Sequence, residues 1–116
     1  MLNLLPTTRV FICTRPTDLR KGFNGLSALT MELVKQNPLS GHLFVFRNKG
    51  GDKLKVLYWG GDGYCLWYKR LERGTFELPK SGEVGVEISG TELNMLIDGV
   101  ALNSVRRKRF SLARAA

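Results

Sequence analysis

The apolar positions fall into short blocks separated by glycine, proline and asparagine, and each block has its own period. Val10, Phe11, Ile12 and Cys13 form a first apolar run between Arg9 and Pro16, which predicts a strand over 10–14. Leu19, Phe23, Leu26, Leu29, Leu33 and Val34 then recur at helical spacing. Thr17 or Asp18 is placed to cap that helix, and Asn37-Pro38 to end it. Gly22 and Gly25 inside it each cost about 1 kcal/mol relative to alanine, so a loose first turn is expected.

A hairpin follows. The strands 42–47 and 53–59 flank the loop Asn48-Lys49-Gly50-Gly51-Asp52. If Arg47 faces Lys53, then Phe46 meets Leu54, Phe44 meets Val56 and His42 meets Tyr58 on a core face. Arg47, Lys53 and Lys55 then share the other side, with Trp59 at its margin. Residues 60–63 (Gly-Gly-Asp-Gly) make a sharp turn. Tyr64, Trp67, Tyr68 and Leu71 stand at i, i+3, i+4 and i+7, which predicts a helical segment over 64–73 closed by Gly74. Short strands are expected at 75–78 and 84–88. Ser89-Gly90-Thr91-Glu92 fits a capping box, opening a helix through Leu93, Leu96 and Ile97 to Gly99. The class is α+β: a small, mostly antiparallel sheet with a central hairpin at about 42–59 and two to three short helices.

Length and charge change the picture in one respect. At 116 residues the chain is the size of one domain, expected as a folded unit over 1–103 and a basic tail over 104–116. It carries 18 basic and 10 acidic side chains, a formal net charge of +8 and a pI of about 9.9. Such a balance calls for a polyanionic partner, nucleic acid before an anionic membrane surface. The charge is uneven: a basic body over 1–73, an acidic segment over 74–103 and a basic end containing Arg106, Arg107, Lys108 and Arg109. No uncharged apolar run approaches the ~20 residues of a membrane span. The start lacks a basic n-region and Arg9 interrupts its apolar stretch, so a cytoplasmic protein is expected.

The candidate contacts are cations. Arg20 and Lys21 follow the first strand, and Arg47, Lys53 and Lys55 lie on the hairpin with Lys49 in its loop. Lys69, Arg70 and Arg73 share one side of the segment after it, and Arg106, Arg107, Lys108 and Arg109 make the tail. Such groups neutralise phosphates and release counterions. Trp67 and Tyr68 are assigned to the core rather than to base stacking. Catalysis has little to work with. Asp18, Asp52 and Asp62 each fit a cap or turn, and His42, the one histidine, fits a structural position. Cys13 and Cys65 are too few for a zinc site and are read as reduced thiols. No metal, cofactor or small-molecule substrate is expected.

Three runs carry a resemblance. They are Thr17-Asp18-Leu19-Arg20-Lys21-Gly22-Phe23-Asn24-Gly25-Leu26, then Ser40-Gly41-His42-Leu43-Phe44-Val45-Phe46-Arg47-Asn48, then Leu57-Tyr58-Trp59 with Asp62-Gly63-Tyr64-Cys65-Leu66-Trp67-Tyr68-Lys69-Arg70-Leu71-Glu72-Arg73-Gly74. In this order they resemble the TnpB accessory proteins of insertion sequence 66 family transposons, from about residue 8 to residue 99. Gly60 departs from the pattern, in which an aspartate often follows the tryptophan. The resemblance implies a non-catalytic accessory of DNA transposition, assisting a separate transposase that holds the cutting and joining site. It brings no functional residues with it. Two roles follow from it and from the charge: a DNA-binding factor, or a protein–protein adaptor of the transposase complex without direct DNA contact.

Overall fold

The computed structural model describes residues 4–99. The sheet has five strands: β1 (Val10–Cys13), β2 (Leu43–Arg47), β3 (Lys53–Trp59), β4 (Tyr64–Arg70) and β5 (Gly85–Ile88), in the order β4-β3-β2-β1-β5. Only β1 and β2 run parallel, and α1 (Phe23–Leu29) with its continuation makes the crossover that parallel neighbours need. The other pairs are antiparallel. α2 (Gly90–Ile97) follows β5. The α+β class and the central hairpin stand as read from the sequence.

Period-two alternation gives β1, β2 and β3 two buried sides, so the middle of the sheet is covered on both faces, while the edge strand β4 is only partly covered. Val10, Ile12, Leu43, Val45, Leu54 and Val56 point to one face. There they pack with Leu93, Leu96 and Ile97 of α2 and with Phe76 and Leu78. Phe11, Cys13, Phe44, Phe46 and Leu57 point to the other, under Leu19, Leu26 and Val34. Ser89 caps α2 as its sequence implies: its Oγ accepts from the Glu92 N–H at 3.0 Å, and Glu92 Oε1 accepts from the Ser89 N–H at 3.1 Å.

Four expectations are corrected. First, the hairpin register is one residue off: Arg47 faces Leu54, Phe46 faces Lys55 and Phe44 faces Leu57. Asn48 is the cause. Its N–H donates to Lys53 O at 3.2 Å and its Oδ1 accepts from the Lys53 N–H at 3.0 Å, so the ladder reaches Asn48 and the loop shrinks to 49–52. Gly51, at φ +80, turns that loop where a Cβ would press on Thr75. Second, 64–70 is a strand. The turn at 60–63 closes with Gly60 N–H donating to Gly63 O at 2.8 Å, which returns the chain antiparallel to β3.

Third, neither Thr17 nor Asp18 caps α1. The Thr17 N–H donates to Arg47 O, and Asp18 turns back onto Arg20. The helix starts from Gly22 without a side-chain cap and widens into a π-helical stretch, Thr30–Val34. The Thr30 hydroxyl donates to Leu26 O there. That stretch lies against β5, where a Cβ at Gly85 would stand 3.0 Å from both Cα and O of Val34. Fourth, 75–78 is not a strand. It is tied to the hairpin loop instead, by Phe76 N–H donating to Gly51 O at 2.7 Å. His42 does not face Tyr58. It precedes β2 and its Nδ1 accepts from the Arg9 N–H at 3.0 Å, a structural role reached by another route.

Two outcomes follow. Gly85→Ala forces the β5 backbone away from Val34, and overpacking of this kind costs about 1–3 kcal/mol; Gly82→Ala, with open space around it, leaves chemical-denaturation midpoints unchanged. Ser89→Ala removes the α2 cap and lowers unfolding free energy by about 1 kcal/mol in the same assay.

Candidate nucleic-acid interface

The hydrogen-bond pattern of the β3–β4 pair decides which side chains meet. Gly60 N–H donates to Gly63 O, and Leu71 N–H donates to Asp52 O at 2.8 Å. Bonded pairs alternate in an antiparallel ladder, so 53–70, 55–68, 57–66 and 59–64 are the non-bonded, more closely spaced pairs. These pairs share one face. Trp59 and Tyr64 meet edge to face with ring centroids 5.2 Å apart. Leu57 and Leu66 sit in the core beneath α1. Toward the β2–β3 loop the same stripe turns polar: Lys55 beside Tyr68, then Lys53 beside Arg70.

The segment between β1 and α1 passes over this polar end. Lys55 Nζ donates to Leu19 O at 2.6 Å and lies 5.3 Å from the Tyr68 ring centroid. A cleft of about 540 Å³ opens between residues 16–20 and the loop 48–50, with Lys53 and Tyr68 also lining it. Tyr68 is 52% exposed. Its strand is the sheet edge among the described residues, so Lys55 is its one cross-strand neighbour.

The cations around the cleft differ in what already holds them. Arg20 is paired with Asp18 at 2.8 Å, and this guanidinium, through its side-chain hydrogen bonds first, holds the Asp18 carboxyl down to about 2. The pair is therefore ionised on the cleft rim at neutral pH. Arg70 meets Glu72 at 3.2 Å, an exposed contact of little strength. Lys21, Lys49 and Lys53 enter no ion pair among the described residues. Asp52 accepts from Asn48 Nδ2 at 2.8 Å, which, ahead of any nearby charge, lowers its pKa.

Six of the cations singled out from the sequence thus lie around one region or beside it: Arg20, Lys21, Lys53, Lys55, Arg70 and, in the loop, Lys49. Two others face the opposite side of the sheet. Arg47 Nη1 donates to Phe76 O at 2.7 Å, and its Nε is buried with no hydrogen-bond partner. Lys69 Nζ donates to Ile97 O at 2.9 Å, a cation on the last turn of α2. The expected common side for Arg47, Lys53 and Lys55 is therefore not formed, nor is that for Lys69 and Arg70. Arg73 is exposed in the turn after β4. Arg106, Arg107, Lys108 and Arg109 lie outside the described residues, as does the rest of the segment 104–116.

The sequence reading missed Tyr68, assigned to the core with Trp67. The structure separates the two: Trp67 packs on the α2 face and Tyr68 projects to the other. Residues 64–68 are a continuous apolar run, so no local signal separates the two rings; pairing with β3 and the edge position of β4 do. Among the described residues no three His, Cys, Asp or Glu side chains are grouped to hold a metal ion. No described helix is long and apolar enough to cross a membrane. Cys13 is buried and Cys65 half-buried, both free thiols.

Comparison with known proteins adds what geometry alone cannot. The family model described as "IS66 Orf2 like protein" matches residues 8–107. A relative from Sinorhizobium fredii (strain NBRC 101917 / NGR234), y4hO, is 45% identical over 100 residues, covering 86% of this chain and 87% of its own length. A second from the same organism, y4jC, is 38% identical over 100 residues, covering 86% of each chain. Both carry the description "Uncharacterized protein". No solved structure matches the chain. With a family model spanning most of its length and two relatives aligned nearly end to end, the chain belongs to the IS66 Orf2-like family.

Proposed function

We propose that this protein is a non-catalytic accessory factor of DNA transposition that binds DNA through the basic surface around the cleft and assists a separate transposase of the same element. One observation carries the reading: Lys53, Lys55 and Arg70 converge on one sheet face, and the loops bring Arg20, Lys21 and Lys49 to the same end. Unpaired like charges repel, and a polyanion relieves that repulsion while releasing its own counterions. Arg73, Arg106, Arg107, Lys108 and Arg109 extend the contact in this proposal. Arg47 and Lys69 serve the fold, since each donates to a main-chain carbonyl on the opposite face of the sheet. Lys55, whose ammonium is likewise held by Leu19 O, adds its charge to the cleft side without being free to move.

Membership of an insertion-sequence family supports DNA as the polyanion. The net charge of +8 supports an affinity dominated by phosphate contacts and only weakly dependent on sequence.

Fluorescence anisotropy against salt tests this. About four neutralised phosphates predict an affinity loss of roughly a hundredfold between about 50 and about 200 mM salt. Lys49→Gln with Lys53→Gln lowers the log–log slope by about two with an unchanged circular dichroism spectrum. Lys69→Met lowers the melting temperature and leaves the slope intact. Absence of binding, or binding indifferent to salt, overturns the proposal in favour of an adaptor that meets the transposase alone. Metal-dependent DNA cleavage by the purified protein would contradict the non-catalytic role.

A further inference from the structure

The cleft has a feature that duplex binding does not use. Tyr68 offers a half-exposed ring among cations, at a strand position where its neighbour Lys55 is locked in place. The Lys55 ammonium donates to Leu19 O at 2.6 Å and reaches Lys21 O at 3.5 Å, so it is fastened to the overlying segment and holds the ring from one side. The rest of the ring is open to a cleft of about 540 Å³, inside the range of about 300–1,000 Å³ that accepts ligands of nucleotide size. Lys49 and Lys53 lie along the same cleft, neither in a salt bridge among the described residues; the nearby Asp52 carboxylate, held by Asn48, acts on Lys53 only through space.

We infer that this cleft takes single-stranded DNA, with one unpaired base stacked on Tyr68 and its neighbouring phosphates on Lys49 and Lys53. The inference rests on the DNA-binding reading above and narrows it. In a duplex the bases are paired and stacked on one another, so their faces are not free for a tyrosine. In a single strand each base has a free face, and stacking on an aromatic side chain is tolerant of base identity. The polar groups at the rim argue for the same tolerance. Both oxygens of Asp18 are engaged by Arg20, and Asn48 spends its amide on Asp52 and Lys53 within the loop. Little remains to read a base edge, while the ring and the free lysines suit any base flanked by phosphates. Asp18 weakens the pull of Arg20 by pairing with it, so the lysine side attracts the backbone more strongly.

The test uses the full chain and four labelled probes of equal length, each at two salt concentrations: oligo(dT), oligo(U), a strand of abasic residues, and a mixed-sequence duplex. The wild-type protein binds oligo(dT) roughly tenfold more tightly than the abasic strand, because both offer the same phosphates and only one offers bases. Tyr68→Leu removes that difference and leaves duplex affinity within twofold; Tyr68→Phe preserves it. Equal binding of oligo(dT) and abasic strand by the wild-type protein overturns the inference, whatever the variants do. If duplex binding remains salt-dependent in that case, the broader DNA-binding reading stands without it. If no probe binds, both fall. Tighter binding of oligo(U) than of oligo(dT) would overturn the assignment to DNA.

Discussion

The arrangement of this protein depends on the double hydrogen bond between Asn48 and Lys53. The Asn48 side chain and main chain both engage Lys53, which makes their pairing the last rung of the β2–β3 ladder. Side chains alternate with a period of two, so this one rung decides the face of every residue on both strands. It sends Lys53 and Lys55 to the side of Phe44, Phe46 and Leu57, and Arg47 to the side of Leu54 and Val56. A slip of one residue would bury Lys55 against α2 and expose Val56. The four-residue loop that accompanies the rung also places Gly51 against Thr75 and lets Phe76 N–H reach Gly51 O. The loop thus anchors the chain that crosses back toward β5.

From that rung the basic surface follows. β4 inherits its register from β3, so Arg70 stands beside Lys53 and Tyr68 beside Lys55. Apolar pairs at the other end of the same stripe anchor it under α1, and the segment that leads into α1 passes over the polar end, where Leu19 O takes the Lys55 ammonium. One stripe of the sheet is therefore core at one end and cation-lined cleft at the other. The opposite face works differently. Arg47 and Lys69 neutralise carbonyl dipoles of Phe76 and Ile97, in a setting already closed by α2.

Much of this was legible in the residues. The apolar run at Val10, the hairpin strands, the strand ending at Ile88 and the Ser89–Glu92 capping box are local signals, and each appears where its pattern implies. The family resemblance rested on contiguous motifs and was equally readable. β4 was not. Tyr64, Trp67, Tyr68 and Leu71 satisfy a helical period, yet the same stretch is a short continuous apolar run that a strand can also carry, and only pairing with β3 decides between them. The register was missed because Asn48 was counted as loop when its side chain makes it a ladder residue. The π-helical widening before Lys35 and the exposure of Tyr68 depend on contacts distant in sequence: Val34 on Gly85, and an edge position in the sheet. Periodicity carries neither. Of the candidate cations, their number was legible and their sorting between two faces was not, because sorting follows register.

The claim that one face of the sheet meets DNA and the other does not is tested most directly by titrating DNA into isotope-labelled protein and following every backbone amide by NMR. If the cleft face meets DNA, the amides of Lys49, Lys53, Lys55, Tyr68 and Arg70 shift in a saturable way while those of Leu93, Leu96 and Ile97 on the opposite face stay within error. Shifts concentrated on the α2 face, with the cleft unmoved, would contradict it.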